Sequence, residues 1–252
     1  MSLKRIVVSL FLALLSNSVS AGMTISGTRV IFPGSEREQV VRTNNQGNKP
    51  ELVQVWVDDG STNNDVNKMK VPFLVTPPVF RVEPRKGQSV RLIYNGMPLP
   101  QDKESVFWFN MLEIPPVEKG EENSDKLELA FRTRIKIFYR PKMLGSSSAY
   151  QLDKLRWSVI RGGKKGGGIK VENPTPYYFS FDSASIKSGN KSGALEIDMI
   201  SPFSSNEIHP RNNISSSVNV TELSFRLLND YGAAVDGTVS FKNGQGVLIK
   251  KQ

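Results

Sequence analysis

The chain has 252 residues, 38% hydrophobic and 23% charged, which is the composition of a globular protein rather than a disordered one. It carries no cysteine and a single histidine, so thiol catalysis, thiolate metal sites and multi-histidine metal sites are excluded. The net charge of +9 is spread along the chain, with no basic run longer than a pair such as Lys164-Lys165, which argues against nucleic acid and for acidic or carboxylate-bearing partners.

In chain order, the first element is a targeting segment. Lys4 and Arg5 supply positive charge, Ile6–Leu15 is apolar apart from Ser9, and Val19-Ser20-Ala21 places small residues where signal peptidase cuts. The apolar run falls short of the roughly 20 residues that span a bilayer. Cleavage after Ala21 and export from the cytoplasm are expected, and no later segment is long and apolar enough to be membrane-embedded.

The rest of the chain alternates or is rich in β-branched and aromatic residues, with turn signals between segments. Ile25–Phe32, Leu52–Asp58, Phe80–Val82, Ser89–Tyr94, Val106–Leu112 and Leu127–Tyr139 read as strands, followed by Leu155–Ile160, Ile169–Glu172, Tyr177–Phe181, Val218–Leu228 and Gly237–Phe241. No stretch has convincing helical periodicity. Many short strands at this spacing suggest β-sandwiches. Pro141–Ser148, with Gly145-Ser146-Ser147-Ser148, reads as a flexible polar joint between two units of similar size. The expected division is a leader at 1–21, one domain at 22–142 and a second at 143–252. Gly162–Gly168 lacks the spacing of a phosphate-binding loop and reads as a hairpin. His209, in a Pro-flanked polar stretch, reads as a solvated loop residue rather than part of a catalytic triad.

Leu127–Arg140 carries the most information. Leu127, Leu129 and Phe131 share one face, because strand side chains have period 2. Alternation alone would assign them to this protein's own core. Lys136 has the opposite parity, and a bulge or strong twist is one way to reconcile the two.

Two stretches carry a family resemblance. Leu99-Pro100-Gln101-Asp102-Lys103-Glu104-Ser105 leads into the aromatic run Phe107-Trp108-Phe109, then Asn110 and Ile114-Pro115-Pro116; later comes Ile135-Lys136-Ile137-Phe138-Tyr139-Arg140-Pro141. Weaker matches lie at Thr28–Phe32, Asn173–Tyr178 and Asn229–Ala233. Together they resemble the periplasmic chaperones of chaperone–usher pili, in family order over nearly the whole chain after the leader.

The resemblance implies an all-β protein of two immunoglobulin-like β-sandwich domains joined at an angle with a cleft between them. It implies a non-enzymatic periplasmic chaperone that needs no cofactor. Such a protein binds, folds and caps fimbrial subunits by donor-strand complementation and delivers them to an outer-membrane usher, with self-association a further possibility when free. By resemblance, Leu127, Leu129 and Phe131 enter the subunit groove, Arg29 and Lys136 bind the subunit's C-terminal carboxylate, and Glu104, Arg140 and Asp230 form a charge network between the domains. The short segment Val117–Lys126 and the absence of cysteine match the family's short-loop group. A structural subunit or adhesin of the same fibre is the alternative. Such subunits carry a donor extension and an incomplete fold, whereas two full sets of strands are read here.

Overall fold

A computed structural model describes residues 22–61, 70–114, 129–145, 147–161, 167–210 and 220–251. The expected leader and Leu127 lie outside the described residues. Of the described chain, nearly all the regular structure is β-strand, and the fold is two β-sandwich domains.

The first domain is built from β1 (Met23–Ile25), β2 (Arg29–Pro33), β3 (Glu38–Asn45), β4 (Glu51–Asp58), β5 (Phe73–Thr76), β6 (Val79–Val82), β7 (Gly87–Tyr94), β8 (Ser105–Ile114) and β9 (Arg132–Arg140). One sheet runs β1-β3-β7-β5 and the facing sheet β2-β9-β8-β4-β6. The alternate residues Val53, Val55 and Val57 of β4, Phe107, Phe109 and Met111 of β8, and Ile135, Ile137 and Tyr139 of β9 point inward. They meet Val41, Val90 and Leu92 from the other sheet. Each such side chain, fully buried, stabilises the fold by roughly 1.5–3 kcal/mol before ordering costs.

The segment read as one strand, Ile25–Phe32, is two. β1 pairs antiparallel with β3, then the chain turns at Gly27, whose φ of +98° favours glycine, and β2 pairs parallel with β9 in the other sheet. β3 escaped the reading because its buried face is partly polar: Thr43 and Asn45 lie inside beside Val41. Asn45 is satisfied there, donating its side-chain amide to the carbonyls of Lys49 and Val82.

The second domain contains β10 (Arg156–Ile160), β11 (Gly168–Asn173), β12 (Phe179–Ser188), β13 (Lys191–Leu195), β14 (Met199–Ile200), β15 (Ser204–Ile208), β16 (Glu222–Leu228), β17 (Ala234–Lys242) and β18 (Gln245–Lys251). Its two layers are one continuous sheet, β13-β12-β16-β17-β18-β10-β11-β15, folded over a core of Trp157, Phe179, Phe181, Phe225 and Leu227. The turn from one layer to the other is made where Gln245 and Gly246 of β18 pair with both β17 and β10. A Cβ on Gly246 would lie within 2.8 Å of Val239, Phe241 and Trp157, so glycine is required at that corner.

The joint is more ordered than its composition suggests. Pro141 and Ser148 are buried, Leu144 packs on the second core, and Ser147 caps a short 3₁₀ helix, Ser148–Lys154. His209 is half-buried rather than solvated, with its ring 3.4 Å from the Gly167 carbonyl. Among the described residues there is no cluster of metal-ligating side chains, and no helix is long and apolar enough to cross a membrane.

Candidate functional site at the junction of the two domains

The site is organised by β9. The parallel register with β2 sets Arg29 directly beside Lys136, and both side chains lie on the face of the sheet away from the core. Lys136 Nζ donates to Asp198 Oδ1 of the second domain at 2.9 Å. Arg29 Nη1 donates to the Leu228 carbonyl, also of the second domain, at 3.0 Å, and its guanidinium lies 5.8 Å from the centre of the Phe138 ring. The Arg29 Nε is buried without a hydrogen-bond partner. Burial lowers the Arg29 pKa, opposed by the nearby Asp230 charge. Two cations are thus held side by side at the junction of the domains, the arrangement that a carboxylate satisfies with charge-assisted hydrogen bonds.

Glu104, Arg140 and Asp230 are also brought together. Arg140 Nε donates to Glu104 Oε1 at 2.8 Å, while Nη1 and Nη2 form a two-pronged pair with Asp230 at 2.8 and 3.0 Å. Glu104 is only 2% exposed. Its other oxygen accepts the Tyr178 N–H at 2.8 Å, and its own N–H donates to the Pro176 carbonyl at 2.9 Å. Burial raises the Glu104 pKa despite Arg140 and the Tyr178 N–H pulling it down. For Arg140, burial opposes the charge, but the carboxylates of Asp230 and Glu104 prevail and push its pKa above the ordinary value. Beside this network, Gly232 follows Asp230 with φ of +79°, and a Cβ there would stand 2.2 Å from Thr28 Oγ1. The turn Asn229–Ala233 therefore closes on the first domain only because position 232 is glycine.

At its other end β9 is shorter than the strand read from sequence. It begins at Arg132, and Leu129–Phe131 is extended chain whose hold on the sheet includes the bond from Glu113 N to the Phe131 carbonyl, 2.9 Å. Leu129 is 61% and Phe131 60% exposed. The shortening follows from the partners: β2 covers only Lys136–Arg140, and β8 ends at Ile114.

The parity question has a simple answer. The β8–β9 register is unbroken from Arg132 to Tyr139, so no bulge intervenes. Leu129 and Phe131 continue the odd-numbered face of Ile135, Ile137 and Tyr139, but run out past the end of the home core. Lys136 stands on the even-numbered face with Phe138 and Arg140. One face serves apolar packing and the other serves charge.

A second set of residues on the even face escaped the sequence reading. The buried carboxylate of Asp58 pairs with Arg132, at 3.1 Å, and with Arg134. Arg132 also donates to Asn110 Oδ1 at 2.7 and 3.0 Å and lies over Trp56, while Arg134 lies over Trp108. The signal was present: Trp56 and Asp58, Trp108 and Asn110, and Arg132 and Arg134 all share the parity of Lys136. Arg132 and Arg134 are thus engaged by Asp58, Asn110 and the two tryptophans on the even face.

Known proteins resemble this chain in sequence and in fold. Residues 22–145 match the pili and flagellar-assembly chaperone family, PapD N-terminal domain, and residues 151–239 match the pili assembly chaperone PapD C-terminal domain. The chain is 41% identical over 225 residues to the probable fimbrial chaperone YadV of Escherichia coli K12, covering 88% of this chain and 91% of the relative. The crystal structure of YadV chaperone superposes with a TM-score of 0.73, covering 88% of this chain and all of that one. The SafB chaperone, solved in complex with the Salmonella enterica SafA pilin, matches at 25% identity with a TM-score of 0.69 over 87% of this chain and 95% of that one. The chain belongs to the PapD family of pilus-assembly chaperones.

Proposed function

We propose that this protein is exported to the periplasm, loses residues 1–21, and binds, folds and caps pilus subunits by lending them a strand before delivery to an outer-membrane usher. It acts without enzymatic chemistry or a cofactor. Leu127, Leu129 and Phe131 are the apolar side chains lent to the subunit. Arg29 and Lys136 receive the subunit's C-terminal carboxylate, and Glu104, Arg140 and Asp230 fix the pose of the two domains, divided near residues 142 and 143. The chain falls in the short-loop group of its family, and the free protein can cover its lent strand by self-association.

One observation carries this reading. The edge of β9 that faces β2 is free along Arg132–Ile135 among the described residues, because β2 pairs only with Lys136–Arg140. A guest strand can add there by β-augmentation. If it runs parallel to β9, in line with β2, its last residue arrives beside Arg29 and Lys136. A carboxylate terminus then meets two cations; an antiparallel guest would bring its ammonium terminus to the same cations and be repelled. The anchor therefore selects direction and fixes register together.

The test is subunit capture in the periplasm. Arg29→Ala and Lys136→Ala should each remain folded and lose capture, with a cost of about 2–5 kcal/mol for removing one partner of such a pair. Wild-type yields of soluble one-to-one complex from either variant would defeat the anchor. Polymerisation of the protein itself, in place of a soluble complex, would favour the fibre-subunit alternative.

A further inference from the structure

The two cations of the anchor are not in equivalent states. Among the described residues no carboxylate lies within salt-bridge distance of Arg29, whereas Lys136 already has one, Asp198 Oδ1 at 2.9 Å. Asp198 lies in the short connection between β13 and β14 of the second domain, where its backbone carbonyl accepts the Phe181 N–H at 2.6 Å. The backbone is therefore held in place while the side chain is 82% exposed; Lys136 is 23% exposed. An ion pair so open to water is weak and easily exchanged.

We propose that Asp198 is an internal competitor for the incoming carboxylate. It occupies Lys136 in the free protein, is displaced when a guest terminus arrives, and returns to help expel that terminus at release. This inference rests on the anchor reading of Arg29 and Lys136. The exchange replaces one carboxylate on the Lys136 ammonium with another, so the lysine is not stranded without a counter-charge at either stage. A firm grip that must later be reversed gains from such a competitor: the bound state is weakened slightly, and the leaving step begins with a partner at hand. A neutral guest terminus has no means of displacing Asp198 and is indifferent to it.

The experiment compares binding of a synthetic peptide covering the last strand of the subunit that copurifies with the protein, prepared as free acid and as C-terminal amide. The proteins are wild type, Asp198→Asn and Asp182→Asn, the last removing a nearby exposed acidic charge on β12 that makes no ion pair with Lys136 among the described residues. Asp198→Asn should bind the free acid on the order of threefold more tightly, mainly through slower dissociation, with amide binding unchanged. Asp182→Asn should match wild type. If the acid binds wild type and Asp198→Asn equally, or if Asp182→Asn reproduces the gain, the competitor role is overturned and the anchor stands. Weaker binding by Asp198→Asn would make the residue an interdomain latch instead. If wild type binds acid and amide alike, the anchor reading fails and the competitor role falls with it.

Discussion

Among the described residues, Lys136–Tyr139 has β2 on one edge and β8 on the other, while Arg132–Ile135 has β8 alone and Leu129–Phe131 little more than the bond from Glu113. Both halves present apolar side chains on the odd face. In the paired half these sink into the core, Ile137 and Tyr139 among them; in the open half Leu129 and Phe131 stand in water. The difference lies in what surrounds each half, not in its own sequence. A single alternating strand can thus serve its own fold at one end and remain available to another protein at the other. An exposed apolar edge of this kind is a hazard for aggregation unless a partner covers it.

The largest expected effect of breaking this arrangement comes from the paired end. Arg140→Ala strands the buried Glu104 carboxylate and leaves Asp230 unpaired, which should cost about 3–5 kcal/mol in chemical unfolding. The loss should also uncouple the domains, so that one transition becomes two. A single transition shifted by less than about 1 kcal/mol would mean that other interdomain contacts hold the pose.

Next comes the direct comparison of the two halves. Ile137→Ala opens a cavity in a fully buried site and should cost about 2–5 kcal/mol. Leu129→Ala, eight residues earlier on the same face, should change stability by no more than about 0.5 kcal/mol. Leu129→Glu should block subunit capture while leaving the melting temperature near that of wild type. A large fall in melting temperature would place Leu129 in the home core and remove the open half from the mechanism.

How much of this was legible in the sequence depends on where the information resides. The family motifs around Asn110 and Lys136 carry the fold class and the key cations. Strands with apolar alternation, such as β4 and β8, were readable at nearly their observed bounds. β3 and β15 were not, since β3 buries Thr43 and Asn45 and β15 is largely polar and held by its pairing with β11. Nor did alternation distinguish Leu129 from Ile137, because parity encodes which face a residue takes and not whether a neighbouring sheet covers that face. Parity puts the members of the Asp58 cluster on one face, but their contacts, like that of Asp198 with Lys136, depend on register between strands or between domains, which alternation does not encode.

The smallest effect tests how the paired end tolerates a buried acid. Burial raises the Glu104 pKa above its ordinary 4.5, with Arg140 and the Tyr178 N–H opposing. A carboxyl raised on folding contributes stability that is fully present below its unfolded value, and that contribution is lost as pH rises through the folded value. Glu104→Gln does not titrate and keeps one side-chain acceptor where the carboxylate offers two, a loss that is the same at every pH. The melting temperature of wild type relative to Glu104→Gln should therefore be most favourable near about pH 4 and decline towards about pH 7. Other titrating groups largely cancel in that difference. A gap that widened in favour of wild type on raising the pH would mean that the pair with Arg140 outweighs burial. The network would then stabilise the ionised acid instead of tolerating it, and the paired end of β9 would be held by charge rather than by the apolar packing of Ile137 and Tyr139 beneath it.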